Sequence, residues 1–268
     1  PVFRNCRKVI SNGNLWNEVM LKEYRADLHI HTILSPCTEL TEMSPRAIVA
    51  RALQIGLDSI AVCDHNSCEN VAALQSASRD TSLVALAGIE VTSQEEVHVL
   101  GLFDSGVEAC ELQEVVYAHL PGENDEEAFG HQVVVNEEEE IVCFNKKLLI
   151  GATTLTLEKI VDLIHSLNGL AVASHVDREA FSVIGQLGFI PPEVALDALE
   201  FSPRFTRDEV RKKFPQTGAY PLITSSDAHY LGDIGKSSTL FLMETVSVGE
   251  MRMALEAKDG RKVVFEEE

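Results

Sequence analysis

The sequence predicts an α/β barrel, with strands and helices alternating around an enclosed core. Three observations carry this. Short apolar runs alternate with segments of helical apolar spacing along most of the chain. The 268 residues suit a barrel that folds as one unit of about 250 residues. Histidines and carboxylates recur where the apolar runs end, the positions that converge on one face of a parallel barrel.

The elements follow in order. Arg25–His31 reads as a strand. Ser44-Pro45 is a helix start, cap then first-turn proline, and Arg46–Ile55 carries helical spacing up to Gly56. Ser59–Cys63 is a buried strand, Asn70–Ser78 a helix, Leu83–Ile89 a strand, and Val97–Phe103 another. Glu158–Leu167 is amphipathic, and Asn168-Gly169 stops it. Strands are expected at Leu170–Ser174, Leu196–Phe201, Pro221–Thr224, Thr239–Met243 and Val263–Phe265, with helices at Arg207–Phe214 and Val248–Ala257. Residues 120–149 break the rhythm. An acidic loop through Glu123–Glu127 precedes a β-hairpin built from His131–Val135 and Ile141–Phe144, around Glu137–Glu140. The expected role of this insertion is a solvated excursion, with a lid or dimer contact as the alternative.

Composition narrows the function. A net charge of −20 opposes general binding of phosphate backbones, because the chain must overcome its own field. It leaves a small phosphorylated substrate open, since bound cations reverse the field locally. No apolar run approaches a membrane span of roughly 20 residues. Pro1–Asn14 has basic residues but no apolar stretch of the secretory kind, so the cytoplasm is the expected compartment. The six cysteines form no CxxC pair and are expected to be reduced and mostly packed.

The chemistry lies in an ordered series: Asp27-Leu28-His29-Ile30-His31, Asp64-His65, Gly88-Ile89-Glu90, His98, Ser174-His175 and Asp227-Ala228-His229. Imidazole and carboxylate together suit divalent cations. Residues two apart on a strand share a face, so His29 and His31 can serve one ion, as can Asp227 and His229. Asp27 and Asp64 read as outer partners that orient the ligands, Asp27 alternatively as a structural carboxylate. Taken singly, His98 and His175 would be ordinary core histidines and Glu90 a barrel-rim carboxylate. His119, His131 and His165 lack such company.

As a set, the order HxH, DH, GxE, H, H, DxH resembles the PHP (polymerase and histidinol phosphatase) superfamily of metal-dependent phosphoesterases, from about Arg25 to Gly235. The resemblance implies one distorted (β/α)7 TIM-like barrel over residues 1–268, with two or three divalent ions (manganese, zinc or iron) at the C-terminal ends of the strands. It implies that His29, His31, Glu90 and Asp227 hold one ion, that Glu90, His98 and His175 hold a second, and that His65 and His229 hold a third. The chain departs from the family at the third position. After Ser35 the usual aspartate is replaced by Pro36, and Cys37 follows. Either the Cys37 thiolate substitutes and favours a softer metal, or the third site is weak.

The implied reaction is hydrolysis of a small phosphomonoester or nucleotide-type substrate, by attack of a metal-bridging hydroxide on phosphorus. Glu90, Asp227 and His229 are the expected catalytic residues. Arg178 is the first expected phosphate contact, Arg204 the second and Lys236 the third. An amidohydrolase on a similar barrel, or a non-catalytic module with eroded ligands, are the alternatives.

Overall fold

The computed structural model describes residues 20–40 and 42–265. The Pro1–Asn14 segment read above, which includes Cys6, lies outside them. Strand β1 (Lys22–Ile30) leads through helix α1 (Pro45–Gln54) to β2 (Ser59–Val62), and α2 (Val71–Ser78) leads on to β3 (Val84–Thr92). These three strands are mutually parallel. The start of α1 follows its sequence signature: Ser44 Oγ accepts from Ala47 N–H and Pro45 occupies the first turn.

The parallel rule then fails. β4 (His98–Phe103) runs antiparallel to β3, with Thr92 opposite His98. The reason is the short Ser93–Val97 turn, because a parallel partner needs a crossover of about a dozen residues. The consequence is functional: His98 begins its strand at the same end of the sheet where β3 finishes.

Helix α3 (Gly106–Ala118) follows and was not expected from sequence. Its buried positions, Ala109, Leu112, Gln113 and Val116, have helical spacing, but a glutamine interrupts the apolar stripe. The insertion holds a short helix α4 (Glu126–Phe129) and the hairpin β5 (Val133–Val135) with β6 (Ile141–Phe144). Helix α5 (Leu157–Ser166) buries Leu157, Ile160, Val161 and Ile164 along one stripe and delivers β7 (Leu170–Ala173), which is antiparallel to β4. After α6 (Val183–Leu187), β8 (Ala198–Phe201), α7 (Arg207–Lys213) and β9 (Leu222–Thr224) continue in parallel with β7. Finally β10 (Thr239–Met243), α8 (Val248–Leu255) and β11 (Lys262–Val264) pack on the far side of β1, with β10 antiparallel to it.

The sheet order is β11-β10-β1-β2-β3-β4-β7-β8-β9. The sheet curls until its ends nearly meet. Ala228, beyond β9, bridges to Ile30 of β1, and the Thr239 hydroxyl of β10 donates to the Thr224 carbonyl at 2.8 Å. Side chains of alternate parity separate into two cores. The smaller gathers Leu28, Leu86, Leu100, Val172, Ala198 and Ile223 from successive strands and meets Met251 of α8. The larger lies between the strands and helices α1, α2, α3 and α5. Among the described residues, no helix is long and apolar enough to cross a membrane.

The insertion is only half solvated, which corrects the expectation of a free excursion. β5 is buried and β6 exposed. Val133 N–H donates to Ile33 O at 3.0 Å, Val135 N–H to Asn70 Oδ1 at 2.9 Å, and Asn66 Nδ2 to Leu149 O at 2.7 Å. The acidic turn is tied to the start of α1 through Glu139, which accepts from Arg46 N–H at 2.6 Å. Buried backbone groups need partners. Here the loops beyond β1 and β2 find theirs in the hairpin.

Candidate metal centre

β1 delivers the first pair. Its register against β2 shifts between Asp27 and Ile30. Such irregularities re-aim side chains, and this one separates Asp27 from the histidines it precedes. Asp27 instead accepts from Ser226 N–H at 2.9 Å and Gly235 N–H at 2.8 Å. Among the described residues it bonds no imidazole, and it pins the loop that carries Asp227. Burial pushes its carboxyl up to about 6 against those hydrogen bonds.

His29 and His31 turn their Nε2 atoms toward each other at 3.2 Å. Glu90 Oε1 lies 3.3 Å and Asp227 Oδ1 3.4 Å from His29 Nε2. Asp227 Oδ1 is 3.2 Å and Glu90 Oε2 3.6 Å from His31 Nε2. Ligands at about 2.0–2.1 Å around one tetrahedral ion stand roughly 3.3 Å apart, so the spacing fits an ion. Glu90 Oε1 also lies 2.9 Å from His98 Nδ1 and 3.4 Å from His175 Nε2. Its other oxygen is 3.0 Å from His65 Nδ1. Despite these separations, Glu90 Oε1 and the Nδ1 atoms of His65 and His98 have no hydrogen-bond partner. Buried polar atoms crowded together without hydrogen-bond angles are what a ligand set looks like, since each lone pair aims at a shared point rather than at a neighbour.

Local backbone makes this convergence possible. Gly88 is obligatory two residues before Glu90, because a Cβ there would collide with the Cys63 thiol and the Val62 carbonyl. Glu90 N–H donates to Asp64 O at 3.1 Å and Asn66 N–H to Glu90 O at 2.7 Å, which seats His65 beside Glu90. His175 and Asp227 adopt left-handed backbone, φ 30° and 50°. Left-handed backbone is uncommon outside glycine, though Asp and His adopt it more readily than most, and it clusters at functional sites.

Asp64 acts at one remove. Its carboxylate accepts from Thr32 N–H (2.7 Å), Thr32 Oγ1 (2.6 Å) and Ser35 Oγ (2.7 Å). Ser35 Oγ in turn lies 3.0 Å from His31 Nδ1. With the hydroxyl proton committed to Asp64, Ser35 accepts from Nδ1–H and leaves His31 Nε2 free to ligate.

Sequence reasoning missed Glu200. It is buried on β8, and its Oε2 lies 2.9 Å from His29 Nδ1 and accepts from His175 N–H at 3.2 Å. This is a carboxylate–histidine pair of the kind that orients metal ligands. The available signal was an acidic residue inside the apolar run Ala198–Phe201.

Electrostatics agree with a cation site. Burial opposes the charge on Glu90, but His98 and His29 hold its carboxyl well below the usual range. Burial likewise opposes Asp227, and His29 and His31 bring it well down. Burial pushes His31 well down, and the imidazoles of His229 and His65 reinforce it. For His29, burial is outweighed by Glu200, Asp227 and Glu90, which raise it well above normal.

Cys37 sits at the rim, exposed, with Sγ 3.4 Å from His65 Nε2. Burial of its surroundings pushes the thiol up. Hydrogen bonds with His229 and His65 overcome that and bring it to about 6. His31, His65 and His229 themselves form a third cluster within ligating reach of one ion. Arg178 Nη2 meets Asp227 Oδ2 at 2.6 Å, leaving its Nε unpartnered. A cleft of about 750 Å³ opens over the cluster, and Arg178, Arg204, Phe181, Phe205, Lys213 and Phe214 contribute to its walls. Lys236 is elsewhere, paired with Asp233 and lining a different cavity. Of the three remaining histidines, His165 pairs with Asp197 at 2.8 Å, His119 binds the Val115 carbonyl, and His131 lies tilted against the Phe144 ring.

The PHP domain family profile matches residues 27–188. The chain is 24% identical over 260 residues to the uncharacterized protein YqxK of Bacillus subtilis (strain 168), covering 91% of this chain and 65% of that one. It is 29% identical over 86 residues to a 5′-3′ exoribonuclease of Haemophilus influenzae, covering 31% of this chain and 29% of that protein. Among solved structures it superposes on the lesion-specific endonuclease PfuEndoQ from Pyrococcus furiosus with a TM-score of 0.66 at 19% identity, covering 90% of this chain and 57% of that one. The chain thus spans less than two thirds of each of these proteins. The profile covers more than half of the sequence and takes in the HxH, DH, GxE and both single-histidine clusters. On that ground the chain belongs to the PHP domain family.

Proposed function

We propose that this chain is a metal-dependent phosphoesterase acting on a nucleotide-type or other small phosphate ester. The observation that carries the proposal is the convergence of His29, His31, His65, His98 and His175 on the carboxylate Glu90, with Asp227 against His29 and His31 and His229 beside His31 and His65, beneath a cleft walled by Arg178 and Arg204. His29, His31, Glu90 and Asp227 would hold one ion. Glu90, His98 and His175 would hold a second. His65, His229 and Cys37 would hold a third. Divalent ions bound there ionise water near neutral pH and neutralise phosphoryl oxygens.

The chain's own residues do the rest. Glu200 and the Asp64–Ser35 pair fix the tautomers of His29 and His31. Arg178 holds Asp227 through one nitrogen and presents its remaining donors to the cleft, where a guanidinium matches two phosphoryl oxygens. Arg204 and Lys213 place further positive charge along the same wall, a local reversal of the chain's −20. Phe181, Phe205 and Phe214 offer ring faces beside those cations. That combination supports a base-bearing substrate, as do the activities of the similar exoribonuclease and lesion-specific endonuclease.

The test loads the purified chain with manganese or zinc and offers it a phosphomonoester, a short single-stranded oligonucleotide and an amide. Phosphoester turnover that disappears on chelation is expected. Amide turnover alone would make the chain an amidohydrolase, and inertness with metal bound would make it a structural module. Cys37→Ser should lower bound metal from the wild-type number by one ion and leave the His29 and His98 sites filled. Unchanged stoichiometry, measured by elemental mass spectrometry, would exclude the thiolate as a ligand.

A further inference from the structure

Helix α3 turns one face toward the loop that follows His65. Cys110, Gln113 and Tyr117 are spaced to share that face. Gln113 Oε1 accepts from Cys68 N–H at 2.7 Å and from Ser67 Oγ at 3.0 Å. Tyr117 Oη lies 2.8 Å from Ser67 Oγ and donates to Glu69 Oε2 at 3.1 Å. Asn66 holds the loop from its other side, donating to Leu149 O at 2.7 Å and Gly151 O at 2.8 Å. A further contact joins two thiols: Cys68 Sγ donates to Cys110 Sγ at 3.8 Å.

The two thiols are unlike. Cys68 is buried and Cys110 is exposed. The hydrogen bond from Cys68 brings the Cys110 thiol down to about 7, although burial and the carboxylates of Glu114 and Glu69 oppose it. The same contact, together with burial, holds Cys68 far above the ordinary thiol range. Near neutral pH a large share of Cys110 is therefore thiolate, with Cys68 as its proton donor. An accessible thiolate beside a protonated second thiol is the arrangement that reacts with peroxide and then resolves to a disulfide.

We propose that Cys110 and Cys68 are a peroxide-reactive pair, in which Cys110 is oxidised first and Cys68 closes a disulfide that fastens the His65 loop to α3. The Cys110 thiolate attacks one oxygen of hydrogen peroxide. The O–O bond breaks, the sulfur becomes a sulfenic acid, and the departing hydroxide takes up a proton to become water. With the negative charge on Cys110 gone, Cys68 no longer has a thiolate holding its proton. Cys68 loses that proton, its sulfur attacks the Cys110 sulfur, and the S–O bond breaks to release a second water. In sum, two thiols and one peroxide give one disulfide and two waters. The sulfurs must close from 3.8 Å to about 2.05 Å. Cys68 lies in irregular backbone and Cys110 has solvent beside it, which leaves room for that closure.

The test treats the full chain, in the presence of a chelator, with hydrogen peroxide at neutral pH. Digestion and tandem mass spectrometry should find a peptide pair joined through Cys68 and Cys110, and dithiothreitol should release it. The order of oxidation is read from two variants treated with peroxide and dimedone, which labels sulfenic acids. Cys68→Ala should accumulate label at Cys110. Cys110→Ser, a change at an exposed position, should leave Cys68 largely unlabelled and keep the thermal melt of the reduced chain. Amide exchange across residues 66–69 should slow by about tenfold in the oxidised chain, as the disulfide suppresses local opening, and recover on reduction. Absence of the Cys68–Cys110 link, label at Cys68 in Cys110→Ser that exceeds label at Cys110 in Cys68→Ala, or exchange unchanged by oxidation would each overturn the proposal.

Discussion

Glu90→Gln is expected to empty most of the metal centre and to reduce turnover by at least about a hundredfold, more than loss of an outer partner costs. Among the described residues, Glu90 is the one group within 3.6 Å of His29, His31, His65, His98 and His175 together. Glutamine keeps the shape but removes the charge that would hold the proposed ions together, and turns an amide N–H₂ toward imidazole lone pairs. Elemental mass spectrometry after dialysis gives the metal content, and a phosphodiester assay at saturating metal gives the rate. Because the substitution is isosteric, the thermal melt of the metal-free chain should move little. A variant that keeps its full metal complement and its rate would remove Glu90 from the centre of the site.

Glu200→Gln is the second large effect, and its signature differs. Glu200 lies against His29 Nδ1 and the His175 backbone, not against the donors that face the cleft. Removing its charge should lower metal affinity by about 10–100-fold, the usual cost of losing an outer carboxylate partner. Excess metal should then recover much of the rate. Glu200→Ala should in addition lower folding stability by about 1–3 kcal/mol, because two buried donors lose their acceptor. A metal titration followed by activity separates the two variants: Glu90→Gln stays inactive at high metal, and Glu200→Gln recovers. Unchanged affinity in Glu200→Gln would show that Glu200 does not orient His29.

Much of this was legible in the chain. The strands at Ser59–Val62, Leu170–Ala173 and Thr239–Met243 have little choice, because their apolar runs are bounded by charges and turn residues. The start of α1 was written in Ser44-Pro45. Helix α3 was not legible, since Gln113 occupies a buried position where it accepts from Cys68 N–H at 2.7 Å, a contact from a distant loop. Glu200 escaped for the same kind of reason: an acidic residue in an apolar strand has meaning only through the His29 and His175 it meets across the sheet.

By itself the sequence determined the ligand inventory and its order, because imidazoles and carboxylates at strand ends are chemical facts that need no coordinates. It also determined the doubtful position, Pro36-Cys37. Only the tertiary structure decided that Asp27 braces a loop rather than a histidine, since a register shift of β1 against β2 cannot be seen in a run of residue types. Only the fold reversed β4, so that His98 meets Glu90 from the start of a strand rather than from its end. And only the fold set the hairpin against the loops of His31 and His65, because its buried strand β5 satisfies backbone groups that those loops leave open.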